Sequence, residues 1–366
     1  MTTTNPQDHR AAEIGGPVID VHHHWLPREL VDHVEDYLPP GYRAERGADG
    51  RIGIYDPDGL EGLTVTPERW CGAAVQLADM DAADIDVAVL SAACYPAWIT
   101  LPAARLLNDA YADLQRKHPR RFVGLAHMPP LGDAGALEEL ERARRLGLRG
   151  VCITTNFQGR YPDDPAIRPL LRKAAELDMP VVVHAAGAPA ENVALRPYNL
   201  YRTFGRSFDS CLVAARLLAS GVLDELPGLR VVIPHLGGGF FAHVGRVAAG
   251  PRATTATAST APGAGPLPGS VERAAISPAS RTPRGLDQLL FDTAPSFTWS
   301  PLEIGWAVEG LGVARLALGS DYPVGADPRV LSAAVDHVRA LPLDPADRAR
   351  IAGGNAAAFL GLPDEP

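Results

Sequence analysis

The chain alternates short apolar runs with helical patterns eight times, and that repeat restricts its fold more than any other feature. Runs suited to buried strands lie at 18–21 (VIDV), 86–92 (DVAVLSA), 121–127 (RFVGLAH), 150–154 (GVCIT), 181–184 (VVVH), 230–234 (RVVIP), 288–293 (QLLFDT) and 315–320 (RLALGS). Helical patterns lie between them near 101–118, 134–147, 164–178, 208–226 and 299–312. Segments 327–341 and 345–361 close the chain as helices. Eight strand–helix units predict an α/β fold, a (β/α)8 TIM barrel. A doubly wound open sheet is the alternative, but no GxGxxG follows the first strand. With 366 residues, 46% of them hydrophobic, the chain can bury a large core. The reading is a single barrel domain over 17–366, behind a polar, flexible N-terminus at 1–16.

Two stretches interrupt the repeat. Residues 28–75 separate the first two strands widely and contain GADGRIGIYDPDG, which predicts a small hairpin insertion over the barrel mouth. Residues 251–284, before the seventh strand, are rich in Ala, Pro, Thr, Ser and Gly. Such a segment buries too little apolar surface to hold one conformation, so a low-complexity loop is expected there.

Charge and composition exclude several functions. A net charge of −9 argues against a basic nucleic-acid surface. No run of about 18 apolar residues predicts a membrane span. The opening MTTTNPQDHRAAEIGG has no apolar h-region, so a secretory signal is not expected. Cys71, Cys94, Cys152 and Cys211 are widely spaced and read as reduced thiols of a cytoplasmic protein.

Chemistry in such a barrel gathers at the C-terminal ends of the strands. The first strand runs into VIDVHHHWLP. Side chains alternate faces along a strand, so His22 and His24 point one way and His23 the other. Two imidazoles on one face can share an ion. His184 ends the fifth strand, His235 the sixth, and Asp321 follows the eighth. Each is a candidate metal ligand or proton carrier. His127, at the end of the third strand, is a possible decoy. Only two of the 34 basic residues are lysines, Lys117 and Lys173, and neither lies at a strand end. Schiff-base, pyridoxal-phosphate and carbamylated-lysine chemistries all require one, so none of the three is expected; the function expected below also uses no organic cofactor. Trp25, Tyr95, Trp98, Phe297 and Tyr322 fall near the barrel mouth, a grouping that fits a flat, conjugated substrate.

The combination of Asp20-Val21-His22-His23-His24, His184 after MPVVV, His235-Leu236-Gly237-Gly238-Gly239 with Val244-Gly245-Arg246, Gly319-Ser320-Asp321-Tyr322-Pro323 and Gly354-Asn355-Ala356 resembles the amidohydrolase superfamily. Within it, the chain is similar to the branch of aminocarboxymuconate-semialdehyde decarboxylase, from about residue 18 to 361. The resemblance implies one divalent metal, zinc with manganese as the alternative, held by His22, His24, His184 and Asp321. It implies His235 as an acid/base beside the metal. It also implies that Arg246 reaches into a neighbouring subunit of a homodimer to hold a substrate carboxylate. Strand four ends in Thr154 and Thr155, so the carbamylated lysine of dinuclear relatives is absent, in agreement with the lysine count. Thr64, with Arg69 nearby, stands where the related decarboxylase has a second arginine, and Ala186 replaces a tryptophan. HHHWLP and TTNFQGRYPDDPAI look more like members that decarboxylate hydroxylated benzoates.

The expected function is therefore a metal-dependent decarboxylase of a small aromatic, hydroxybenzoate-like, or conjugated carboxylic acid. Asp321 and His235 are its candidate catalytic residues. Arg246, Trp25, Trp98, Phe297 and Tyr322 are its candidate substrate contacts. Asp20 is read as a partner orienting a ligand histidine, on the face of His22 and His24. The alternative is a hydrolase or hydratase acting on a lactone, amide or enoate.

Overall fold

The structure is a computed structural model that describes residues 14–93, 95–186, 193–248, 283–295 and 298–362. Nearly all of the expected loop at 251–284 and most of 1–16 lie outside the described residues. Eleven strands run through the rest: β1 (Ile19–His24), β2 (Arg43–Arg46), β3 (Ile52–Tyr55), β4 (Glu61–Val65), β5 (Val87–Ser91), β6 (Phe122–Ala126), β7 (Gly150–Thr154), β8 (Val181–His184), β9 (Val231–Ile233), β10 (Leu289–Asp292) and β11 (Leu316–Ala317). β1 and β5 through β11 form one parallel sheet in chain order. The Val21 N–H donates to the Leu318 carbonyl at 3.0 Å and the His24 N–H to the Tyr322 carbonyl at 2.8 Å, which brings the last strand beside the first. This is the expected (β/α)8 barrel.

The strand sequences explain the closure. Val182, Val232, Leu125, Val89, Val21, Leu290 and Cys152 form one buried cluster inside the barrel. Their neighbours in sequence, such as Val183, Ile233, Leu90 and Phe291, pack outward against the helices. Both faces are covered, so the runs are continuously apolar. Burying each Val, Leu or Ile contributes about 1.5–3 kcal/mol relative to exposure. The helices begin where their sequences can cap them. The Thr100 hydroxyl accepts from the Ala103 N–H at the start of Leu101–Lys117. Ser300 and Glu303 form a capping box on Pro301–Leu311. The helix expected at 208–226 starts earlier, at Arg206, after a π-helical turn Tyr201–Gly205. It breaks at Gly221, whose φ of 79° suits only glycine without strain.

The insertion after β1 is larger than a hairpin. β2, β3 and β4 form a three-stranded antiparallel sheet. Its apolar face, Ile52, Ile54, Leu63 and Val65, is buried in the main core with Leu30, Val31 and Val34. The helix Ala73–Ala82, unread in the sequence, leads into β5. No helix among the described residues is long and apolar enough to cross a membrane.

One irregularity positions the site. The β1–β5 register shifts between Asp20 and His23. Ile19 and Val21 belong to the barrel interior, and one extra residue in the strand then turns His22 and His24 to the same side. Asp20 is thereby separated from their face, which corrects the expectation made from strict alternation. Its carboxylate accepts from His23 Nδ1 at 2.9 Å and from the Ser320 hydroxyl at 2.5 Å. It orients the histidine that points away.

Candidate metal centre

The ends of β1 and β8 and the turn after β11 bring His22, His24, His184 and Asp321 together, all buried. Their donor atoms lie within 4.8 Å of one another. Asp321 Oδ1 stands 3.0 Å from His24 Nε2, 3.2 Å from His22 Nε2 and 3.8 Å from His184 Nε2. Four ligands arranged tetrahedrally at about 2.1 Å from a zinc-like ion stand about 3.4 Å apart. The observed spacing suits a single divalent ion. The Nε2 atoms of His22 and His184 are also buried without a hydrogen-bond partner, which is costly unless something else engages them.

The remaining ring nitrogens explain why Nε2 is the converging atom. His22 Nδ1 donates to Asp292 Oδ2 at 2.8 Å, and His184 Nδ1 donates to the Ala185 carbonyl at 2.7 Å. A carbonyl only accepts, so the proton is on Nδ1 and the lone pair on Nε2. His24 Nδ1 lies 2.9 Å from the Ser91 hydroxyl. Asp292, at the end of β10, also accepts from the His235 N–H at 2.9 Å and the Ala294 N–H at 3.0 Å. A second group of donors, His22, His235 and Asp292, lies within the same span. There, however, the carboxylate is already committed to three N–H groups, so the first cluster is the better cation site.

Electrostatics point the same way. Burial opposes a charge on His22, but Asp292, by charge and hydrogen bond, and then Asp321 outweigh it and push His22 up to about 10. Burial drops His24 to about 3, against the pull of Asp321 and with the help of His184 and His22. Burial also lowers His184. For Asp321, burial works against ionisation, yet the three surrounding histidines hold it well below the usual carboxylate range. Without a metal the cluster thus favours one additional proton, on His22, beside the Asp321 carboxylate.

His235 follows β9 on a tight turn. His235, Leu236, Gly237, Gly238 and Gly239 all have φ between 50° and 91°. At Gly238 a Cβ would meet the Ser207 carbonyl oxygen at 1.7 Å, so only glycine lets the helix Arg206–Ala219 pack there. His235 Nδ1 donates to the Ala294 carbonyl at 3.1 Å, leaving Nε2 as the lone-pair nitrogen. The ring stacks on His22 at 4.9 Å. Burial, then the His22 charge, lowers it to about 4. It is therefore a neutral base near pH 7. Gly319 backs the cluster: a Cβ there would meet His22 Cβ at 2.9 Å and Asp292 Cβ at 3.1 Å.

His184, His235 and Asp321 open into a cavity of ≈ 250 Å³. Trp70 forms part of its wall and stacks on His24 at 5.7 Å, with Leu63, Ala93, Ala185 and Val324 nearby. His127 is not part of the cluster. Its Nδ1 donates to the Leu125 carbonyl and its Nε2 accepts from the Ala92 N–H. Lys117 pairs with Asp113 on its own helix, and Lys173 with Glu176 on its own helix and Glu141 on the neighbouring helix Ala134–Arg145.

The family comparison decides the assignment: the amidohydrolase family profile matches residues 19–362. The chain belongs to the amidohydrolase family. Among curated proteins, this amidohydrolase is 26% identical to the 2-amino-3-carboxymuconate-6-semialdehyde decarboxylase of Dictyostelium discoideum, over 94% of this chain and 91% of that protein. It is 32% identical to a gamma-resorcylate decarboxylase of Rhodococcus jostii, over 47% of this chain and 58% of that protein. Among solved structures it superposes with a TM-score of 0.70 and 21% identity on the 5-carboxyvanillate decarboxylase of Novosphingobium aromaticivorans, covering 96% of this chain and 97% of that one. That enzyme was crystallised with manganese and 4-hydroxy-3-methoxy-5-nitrobenzoic acid.

Among the described residues, the amidohydrolase cavity is not lined by the aromatic residues expected from the sequence. Tyr322 is fully buried against His23, and its hydroxyl donates to Asp79 at 2.6 Å. Trp25 donates Nε1 to the Cys71 carbonyl and packs on Tyr111. Trp98 lies behind the wall, where a Cβ at Gly62 would meet its ring at 2.8 Å. Tyr95 is buried beside it. Arg246 is exposed on the short helix Val244–Ala248 and does not line the cavity. Phe297 lies outside the described residues. The sequence reading missed Asp292, Trp70, Arg51, Arg202 and Arg206. Of these only Asp292, a carboxylate at a strand end, carried a signal of its own.

Proposed function

We propose that this amidohydrolase is a carboxy-lyase that removes CO2 from a small aromatic or conjugated acid, with a hydroxyl ortho to the departing carboxylate. The buried three-histidine, one-aspartate cluster opening on a compact cavity beside His235 carries the reading. Decarboxylase relatives and an apolar wall of Trp70, Leu63 and Val324 support it. His22, His24, His184 and Asp321 hold one divalent ion. Three imidazoles and a carboxylate suit zinc, and the manganese of the Novosphingobium enzyme makes manganese an equal candidate. When bound, the ion supplies a Lewis acid that fixes carboxylate and hydroxyl in one plane.

The chain's own residues handle the proton. Asp292 holds His22 through Nδ1 and sets the His235 backbone through its N–H. Ala294 fixes the His235 ring, so its Nε2 accepts the proton of the ortho hydroxyl and returns one to the ring carbon as CO2 leaves. Asp321, whose ionised form the surrounding histidines favour, is the alternative donor once a histidine has passed it a proton.

A homodimer completes the proposal. Arg246 is exposed and free to reach another subunit. Phe204 and Phe208, and Leu302 and Trp306, are exposed i,i+4 apolar pairs on helices that pack on the same His235–Ala242 segment. The test is a panel of hydroxybenzoates and conjugated enoates against lactones and amides, read by CO2 release and by hydrolysis. Turnover of lactones or amides with no CO2 from any acid overturns the decarboxylase in favour of a hydrolase.

A further inference from the structure

His184 is held differently from the other two histidines of the cluster. A side chain faces Nδ1 of each of those, Asp292 for His22 and the Ser91 hydroxyl for His24. His184 Nδ1 donates instead to the carbonyl of Ala185, the next residue in the chain, at 2.7 Å. The orientation of its ring, and with it the aim of Nε2, therefore depends on the plane of the Ala185–Ala186 peptide. A peptide group is planar and trans, so its N–H and C=O point in opposite directions, and fixing one fixes the other. The N–H of that same peptide, on Ala186, donates to Thr155 Oγ1 at 3.0 Å.

Thr155 follows β7 and is fully buried. Its backbone N–H donates to the His184 carbonyl at 2.8 Å, which continues the β7–β8 ladder by one step. A regular parallel ladder would next send the Ala186 N–H to the Thr155 carbonyl; here the hydroxyl takes it. With its oxygen occupied as an acceptor, the hydroxyl still has a proton to donate, and it faces Asp209 Oδ2 at 3.3 Å. Asp209, from the helix Arg206–Ala219, is buried as well and accepts from the Tyr161 hydroxyl at 2.6 Å and from Asn156 Nδ2. Asn156 Oδ1 takes the Gly159 N–H at 3.2 Å, which leaves its amide nitrogen for Asp209. Every bond points the same way, from the His184 ring through the peptide and the Thr155 hydroxyl to a carboxylate, so each polarises the next.

We propose that Thr155 is a positioning residue for the metal ligand His184, with Asp209 as the anchor of its hydroxyl. Removing the hydroxyl leaves the Ala186 N–H buried without an acceptor, and the peptide is then free to tilt. The Ala185 carbonyl moves off the line of Nδ1, and the His184 proton is no longer confined to that atom. A fraction of the rings then carries the proton on Nε2, where it excludes the ion. This rests on the assignment of His184 as a ligand and not on which acid the enzyme decarboxylates.

Thr155→Val keeps the branched shape and removes the hydroxyl. Competition with a chelating dye should show zinc bound about tenfold more weakly than by the wild type. In the folded, metal-free protein, nitrogen NMR of the imidazole should show His184 in the Nδ1–H form in the wild type and as a mixture with the Nε2–H form in the variant. Thr155→Ser, which restores a hydroxyl, should return both readings to near the wild type. Ile153→Val, a core truncation on β7, should lower the melting temperature and change neither reading. Asp209→Ala should produce the same two changes in smaller measure, because its contact with Thr155 is the longest of the relay. If Thr155→Val does not fold, Thr155→Ala makes the same comparison. Wild-type affinity and an unmixed tautomer in a folded Thr155 variant, or equal losses in Ile153→Val, overturn the proposal. Wild-type behaviour of Asp209→Ala overturns the anchor alone. His184→Ala, expected to lose far more affinity than any of these, separates the proposal from the assignment beneath it: zinc bound as tightly as by the wild type would remove His184 from the ligands.

Discussion

Replacing Asp292 with asparagine isolates how much the cluster depends on a residue that need not touch the metal. Asparagine keeps the shape. Its amide oxygen can still accept from the His235 and Ala294 N–H groups, now 2.9 and 3.0 Å from Oδ1. The Nδ2 group then faces His22 Nδ1, at the present 2.8 Å contact, donor against donor. To relieve this, His22 must move its proton to Nε2, the atom needed for the ion. Loss of such a supporting carboxylate typically costs about 10–100-fold in metal affinity, or about 1.4–2.8 kcal/mol. The metal-free variant should also lose most of what raises His22, since Asp292 provides the leading favourable interactions with its charged form. Competition with a chelating dye reads the affinity, and NMR titration of the metal-free protein reads the histidine. Wild-type metal affinity in a folded Asp292→Asn protein would refute the reasoning.

Metal binding should release about one proton per ion between pH 7 and 9. His22 stands at about 10 in the metal-free cluster, while His24, at about 3, is already neutral and Asp321 is ionised. Affinity then rises about tenfold per pH unit; calorimetry in buffers of different ionisation enthalpy showing no release, or two protons, contradicts the assignment. Tyr322→Phe should cost about 1–3 kcal/mol in denaturant unfolding through the lost bond to Asp79, without raising KM; a KM effect alone would restore Tyr322 to the substrate site. Gly238→Ala should destabilise by on the order of 3–5 kcal/mol, because the new methyl meets the Ser207 carbonyl and the residue has a φ of 56°; an unchanged melting curve refutes the packing argument. Arg246→Ala should recover part of its lost activity when mixed with a metal-site variant if the arginine serves the neighbouring subunit, and recover none if it does not.

The sequence made the barrel legible because its strands are short, apolar and separated by helical periodicity. That His22, His24, His184, His235 and Asp321 gather at one end of the barrel was legible from their places at or just after strand ends, but which four of them form the ligand set came from the family resemblance. Asp20 was misread because strict alternation cannot anticipate the extra residue in β1, and the register shift redirects its carboxylate to His23 and Ser320. Trp25 and Tyr322 lie beside ligands in sequence, but each flanks a ligand on the opposite face, so proximity along the chain did not mean a place at the cavity. Trp70, Arg51, Arg202 and Arg206 enter from the insertion and from the segment after β8. Their positions follow from long-range packing of β4 against that segment, which no local period encodes.

The most direct measurement of the central claim is turnover of a 2-hydroxybenzoate by the metal-loaded protein in heavy water. The account predicts one CO2 per product, with one deuterium at the carbon that lost it, and suppression of both in His235→Asn while the metal stays bound. Product formation without CO2, or full turnover by His235→Asn, would contradict it.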